Sequence, residues 1–345
     1  MKCPIRVLVV DDSAFMRHTL IKHLEAHPDI SVVGRARDGL ETLAKIQALK
    51  PDVVILDVDM PRMDGLTALR RIMTECPTPV IMLSALTKQG TRATIQALMR
   101  GAVDFVPKPS AALDIQNIIR ELIVKIKIAA ITSTSSRVYP PTPPPRSHTS
   151  KSKPRPLRRG DPLIVIGAST GGPRALQRVL SDLPADLPAA VVMVQHMPPS
   201  FTRALAQRLN QNSPLAIHEA EHGDRLACGM ALLAPGNFHL EVNGRKQVIL
   251  NQEPRRNGVR PAVDVSMESA AAQHGAAVIG VVLTGMGSDG TSGAYYIKEA
   301  GGKVIAEHES TSAVYGMPRS VIEAGLADRV VPLPEVASTL LEMAG

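Results

Sequence analysis

Three residues, each just beyond an apolar run, have the types that acyl transfer needs. Ser169 stands in the G-x-S-x-G pattern of residues 167–171, between the apolar run LIVI (163–166) and a run of helical period after Pro173. His196 follows AAVVMVQ, and Asp289 lies in the turn after AAVIGVVL. A nucleophilic serine needs a base to take its proton. The base needs a carboxylate to fix its tautomer and stabilise the imidazolium. An oxyanion also needs preorganised donors. The N–H after the nucleophile, on Thr170, is one expected donor, and the Met286 N–H in the turn TGMGSDG is the expected second. Taken singly, each residue has a plainer reading: an anion-binding turn at a helix N-terminus, a structural histidine, a turn aspartate. The three together favour a triad. Its chain order, Ser–His–Asp, is not the Ser–Asp/Glu–His order of α/β-hydrolases.

A second set of reactive residues lies in the first third of the chain. Asp11 and Asp12 end one apolar run, Asp57 ends another, Ser84 a third, and Lys108 follows a fourth. Three converging carboxylates repel unless a cation neutralises them. Hard oxygen ligands suit Mg²⁺, which keeps positions open for phosphate oxygens. A lysine and a hydroxyl beside them can hold the remaining oxygens of a phosphoryl group. Asp57 is then the phosphate acceptor, since carboxylates form aspartyl-phosphates. A single aspartate after a strand is usually a cap or turn residue; five such positions together argue against that. HEAEH, at 218–222, fits the H-E-x-x-H zinc signature, but PLAIHEA alternates like a strand and Gly223 and Asp224 follow at once. Both histidines would have to share one helix face, so zinc is not expected.

These residues need elements to hold them. In the first part, strand-like runs (IRVLVVDD, SVVGRA, DVVILDVDMP, TPVIMLSA, DFVPKP) alternate with helical ones, the last helix starting near Ala111. That alternation predicts a doubly wound parallel sheet, with its functional crevice at the carboxyl ends of the strands. The second part is again α/β. The expected division is 1–126, a linker over 127–160, and 161–345.

The chain has 345 residues, enough for two domains, and its cores must be aliphatic because it has no Trp and few other aromatics. The net charge of +7 resides in residues 131–160, which hold seven Lys or Arg, seven Pro and no acidic residue; the rest is balanced. Such a segment reads as an extended basic tether. It could touch an anionic surface or nucleic acid, but specific DNA readout needs a basic recognition element inside a folded domain. No nucleic-acid partner is expected. Cys3, Cys76 and Cys228 are too few and too dispersed for a disulfide framework. No run is long enough to span a membrane, and the N-terminus does not read as a signal peptide. A cytoplasmic chain is expected.

The runs VVDDSAFMR, LDVDMPRMDGL, MLSALT and DFVPKP resemble the receiver domain of bacterial two-component response regulators. The resemblance implies a flavodoxin-like fold and phosphorylation of Asp57 by a histidine kinase. It implies Mg²⁺ held by Asp12 and Asp57 with Asp11 nearby, Ser84 as switch hydroxyl, Phe105 as switch aromatic and Lys108 as phosphate-contacting lysine. GASTGGP, VQHMP, APGNFHL, RPAVDV, LTGMGSDG and AVYGMP are similar to the catalytic domain of the chemotaxis protein-glutamate methylesterases. This second resemblance implies a Rossmann-like α/β esterase domain with Ser169, His196 and Asp289 as its triad. It implies hydrolysis of glutamate γ-methyl esters on chemoreceptors, with release of methanol and no cofactor for that step, and deamidation of receptor glutamines. It also implies that the unphosphorylated receiver restricts access to the serine. Ala262 stands where that family often has serine, and Asn257 and Gly258 depart from the more usual residues.

Overall fold

A computed structural model describes residues 3–108, 115–133 and 153–344. They form two compact units that divide between Arg137 and Val138.

The first unit alternates strand and helix: β1 (Ile5–Val10), α1 (Ala14–Glu25), β2 (Ile30–Ala36), α2 (Gly39–Leu49), β3 (Val53–Asp57), α3 (Gly65–Glu75), β4 (Val80–Ser84), α4 (Lys88–Met99), β5 (Asp104–Pro107) and α5 (Ile115–Ser133). The strands pair in parallel in the order β2-β1-β3-β4-β5. Every residue of β3 and β4 is buried, as a strand covered on both faces requires. Side chains of Ser13, Asp38, Asp64 and Thr87 accept first-turn N–H groups of α1 to α4, satisfying donors a helix leaves open. The start of α3 sits on the end of β3, where a Cβ on Gly65 would come 2.0 Å from the Asp57 carbonyl oxygen. The expected start of the last helix, near Ala111, lies outside the described residues. That helix continues past 126 to Ser133, because Ile126 and Ala129 complete the core formed by Val9, Ile55 and Leu122.

The second unit contains β6 (Arg155–Pro156), β7 (Leu163–Ala168), α6 (Gly172–Asp182), β8 (Ala190–Gln195), α7 (Phe201–Asn212), β9 (Ala216–Glu219), β10 (Ala227–Cys228), β11 (Met230–Leu233), β12 (His239–Val242) and β13 (Val248–Asn251). It continues with α8 (Val263–His274), β14 (Val278–Val282), α9 (Thr291–Glu299), β15 (Lys303–Glu307), α10 (Met317–Glu323), β16 (Arg329–Val331) and α11 (Val336–Ala344). Seven strands form a parallel sheet in the order β16-β15-β14-β7-β8-β11-β9. The chain winds outward from β7 through β8, then returns to β14 on the other side. The switch point is therefore the crevice between β7 and β14, the place where open α/β sheets bind ligands. β6 pairs antiparallel with β10, and Leu157 joins the core of this unit. Order thus begins before residue 161, since Arg155 also pairs with Asp161. His218 lies on β9 and His222 in the following turn, so HEAEH is not helical. No membrane-length apolar helix occurs among the described residues.

Candidate functional site

In the first unit the carboxyl ends of β1, β3 and β5 bring Asp11, Asp57 and Lys108 together. Lys108 Nζ lies 2.8 Å from Asp11 Oδ2 and 2.7 Å from Asp57 Oδ2. Asp12 completes the cluster: one oxygen from each of Asp11, Asp12 and Asp57 lies within 4.8 Å of the others. Asp11 and Asp57 are buried and Asp12 is exposed. Burial first, and then the charge of Asp11, pushes the Asp57 carboxyl up to about 6 against the pull of Lys108. A hard divalent cation suits this donor set, since it would relieve that crowding of negative charge. Ser84 ends β4, fully buried, and its carbonyl accepts the Lys108 N–H at 2.8 Å. Phe105 is buried on β5, with the Lys125 ammonium 5.3 Å from its ring centroid and 2.5 Å from its carbonyl oxygen.

In the second unit the switch-point strands β7 and β14, with β8, present Ser169, His196 and Asp289. The turn after β7 is held from both sides. Ser169 N–H donates to Thr284 O at 3.0 Å, and the Thr284 hydroxyl donates to Thr170 O at 2.9 Å. On the other side, Gln195 Nε2 donates to Ser169 O at 2.9 Å and His196 O at 3.3 Å. One amide thus ties the serine and histidine backbones together. His196 N–H donates to Ala168 O at 3.1 Å. Among the described residues, no hydrogen bond joins the Ser169 hydroxyl to the His196 ring. Such bonds often tighten only with substrate present.

His196 Nε2 lies 2.7 Å from Asp289 Oδ2. With Asp289 ionised, Nε2 carries the proton and donates it, which leaves the lone pair on Nδ1. That is the reverse of the serine-protease arrangement, in which Nδ1 faces the carboxylate. The Asp289 carboxylate also accepts Val263 N–H at 2.7 Å and Asp264 N–H at 3.1 Å, so it caps the start of α8. Burial pushes Asp289 up, but the His196 contact and these two N–H groups outweigh it and hold the carboxyl below its ordinary range. The capping is reciprocal. Asp264, from α8, accepts Gly290 and Gly293 N–H at 2.9 and 2.8 Å at the start of α9.

Thr170 is buried and Met286 is half exposed. The turn carrying Met286 is fixed on both sides: Gly285 N–H donates to Val314 O, and Gly316 and Met317 N–H donate to Gly285 O. The sequence gives no role to Gln195, Thr284 or Asp264, and marks Asn257 only as a departure from the family's more usual residue. Gln195 adjoins His196, Thr284 begins TGMGSDG and Asp264 lies in RPAVD, but nothing in the order of residues shows which neighbouring strand or helix each one ties.

A serine in a glycine turn at the switch point of one doubly wound sheet, joined in the same chain to a carboxylate cluster on another, is the arrangement of a response-regulator hydrolase. Residues 164–340 match the family described as CheB methylesterase, and residues 7–120 match the response regulator receiver domain. The chain belongs to the CheB methylesterase family. It is 47% identical over 99% of its length to a protein-glutamate methylesterase/protein-glutamine glutaminase of Symbiobacterium thermophilum, covering 98% of that protein. It is 45% identical over 98% of its length to the protein of that name from Thermotoga maritima, of which 98% is covered. The crystal structure of the Thermotoga maritima CheB methylesterase catalytic domain aligns with 52% of this chain and 97% of that one, at 47% identity and a TM-score of 0.52.

Proposed function

We propose that this chain is a phosphorylation-regulated serine esterase that hydrolyses glutamate γ-methyl esters on chemoreceptors through Ser169, His196 and Asp289. The observation that carries this reading is the His196–Asp289 pair at 2.7 Å, on strand ends beside the glycine turn of Ser169. His196 Nδ1 takes the Ser169 proton as Oγ attacks the ester carbonyl carbon. The Thr170 and Met286 N–H groups stabilise the oxyanion. The imidazolium then gives its proton to the departing methoxy group, and methanol leaves. Water, deprotonated by the same nitrogen, opens the acyl-enzyme and releases the glutamate carboxyl and Ser169. A receptor glutamine enters the same cycle with ammonia as leaving group. The name shared by the relatives, methylesterase and glutaminase, supports both activities.

In the receiver, Asp57 accepts a phosphoryl group from a partner histidine kinase. Lys108 holds phosphate oxygens, and Ser84 and Phe105 respond as switch residues. Asp11, Asp12 and Asp57 would hold Mg²⁺, which neutralises charge as the phosphoryl group arrives. The esterase needs no cofactor in this scheme. The basic Pro-rich stretch, of which residues 134–152 lie outside the described residues, stands between the two domains in the sequence of a cytoplasmic protein. Ser169→Ala should abolish methanol release from methylated receptor while leaving the melting temperature of the full chain unchanged. Hydrolysis retained in that variant would overturn the triad.

A further inference from the structure

Asp289 does not sit alone in its pocket. Asp264, equally buried, donates its own N–H to Asp289 Oδ1 at 3.1 Å and directs its carboxylate to the start of the next helix. Two buried carboxylates in such proximity repel, and no metal-ligand cluster includes them among the described residues. One side chain spans both: Asn257 Nδ2 donates to Asp264 Oδ2 at 2.8 Å and to Asp289 Oδ1 at 3.2 Å. Asn257 reaches them from the tip of a two-residue hairpin. Arg256 and Val259 exchange both backbone hydrogen bonds, and Asn257 and Gly258 have φ of +53° and +78°. Asn-Gly is the pair this left-handed turn favours. The same hairpin fixes Arg256, whose guanidinium binds Glu268 at 2.6 and 2.7 Å and Ser292 at 3.2 Å. The titratable and charged groups facing the pair are His196, Arg256 and Glu268.

We infer that Asn257 is a positioning residue for the esterase: its amide bridges Asp264 and Asp289 and so holds Asp289 in the orientation that orders His196. An amide can do this because its NH₂ offers two donors and no charge. A carboxyl at the same place donates only while protonated. The inference rests on the reading of Asp289 as the partner of His196.

The test is kcat and KM for methanol release by the full chain across pH, for Asn257→Ala and Asn257→Asp. Asn257→Ala should lower kcat about tenfold with KM little changed, by the same factor at every pH, as expected for one lost charge-assisted hydrogen bond. Asn257→Asp should exceed Asn257→Ala at the acid end, where the introduced carboxyl is protonated and donates. It should fall to or below Asn257→Ala as pH rises through the ionisation of that carboxyl. Neighbouring carboxylates lift this ionisation above the ordinary range. A part that is merely structural would give both variants the same pH dependence. Wild-type kcat in Asn257→Ala, or a constant ratio between the two variants, overturns the inference. If Asn257→Asp does not fold, as judged by its melting curve, Asn257→Ala alone decides through kcat against KM. Asp289→Ala separates the two readings. Activity retained there overturns the triad itself, whereas loss there with unaltered Asn257 variants removes only the role of Asn257.

Discussion

Asp57 and Asp289 are both buried carboxylates at strand ends, yet burial acts on them with opposite net results. Asp57 has a lysine but also Asp11 beside it, and burial wins, so its carboxyl is pushed up to about 6. Asp289 gains an imidazole and two helix N–H groups, and the partners win, so its carboxyl is held low. The consequences for stability have opposite signs. With a folded value above the unfolded one of about 4, Asp57 binds its proton more readily in the folded state. Ionising it costs stability as pH rises from about 4 to 6. Asp57→Asn should therefore stabilise the receiver at pH 7 to 8 by at most about 3 kcal/mol, seen as a higher melting temperature, with little effect near pH 4. Calorimetry at the two pH values checks this, and equal effects at both would contradict it. Asp289 contributes stability above the unfolded value that is lost as pH falls through its lower folded value. The sequence singles out both residues as candidates, because Asp57 ends an apolar run and Asp289 lies in the turn after one. It could not rank their acidities, which depend on neighbours brought in from other strands and helices.

At the scale of elements, the glycines of the nucleophile turn are legible in the sequence, but their purposes are not. The sequence suggests glycine for left-handed backbone and for close approach of a ligand. Gly171 does have φ of +80°. Gly172, however, makes room for protein: a Cβ there would come 2.0 Å from Gln195 Oε1. Gly172→Ala should displace Gln195, release its amide from the Ser169 and His196 carbonyls, and lower kcat about tenfold or more. Methanol release, together with the rate of Ser169 labelling by a serine-directed phosphonate, measures this. Unchanged rates would show that Gln195 is not a constraint on the turn. Gly285 is also tightly enclosed: a Cβ there would come 2.3 Å from Met317 Sδ and 2.8 Å from Ser169 Cβ. Gly285→Ala should lower both activity and melting temperature, since Met317 is fully buried and has little room to yield.

Across the whole molecule, the two units have separate aliphatic cores, one around Val9, Ile55 and Leu122, the other around Val165, Val192 and Val282. Each closes its own parallel sheet, so each should fold as its own cooperative unit. The receiver contributes regulation rather than chemistry at the serine. A small phosphodonor should stimulate methanol release by the full chain. Asp57→Asn should abolish that stimulation and keep the basal rate. Stimulation that survives the substitution would place the switch on another residue.

The sequence by itself determined two α/β units, and the position of the candidate serine, histidine and aspartate residues beyond apolar strands. All of that follows from local patterning: buried strands are continuous apolar runs, and turns declare themselves by glycine, proline and aspartate. Only the tertiary structure decided which ring nitrogen of His196 faces Asp289, and that Asp289 and Asp264 cap each other's helices. It alone placed Asn257 across both carboxylates and Gln195 across the Ser169 and His196 backbones. Those are contacts between residues as much as 93 apart in the chain, set by strand order and helix packing, which no local run of residues encodes.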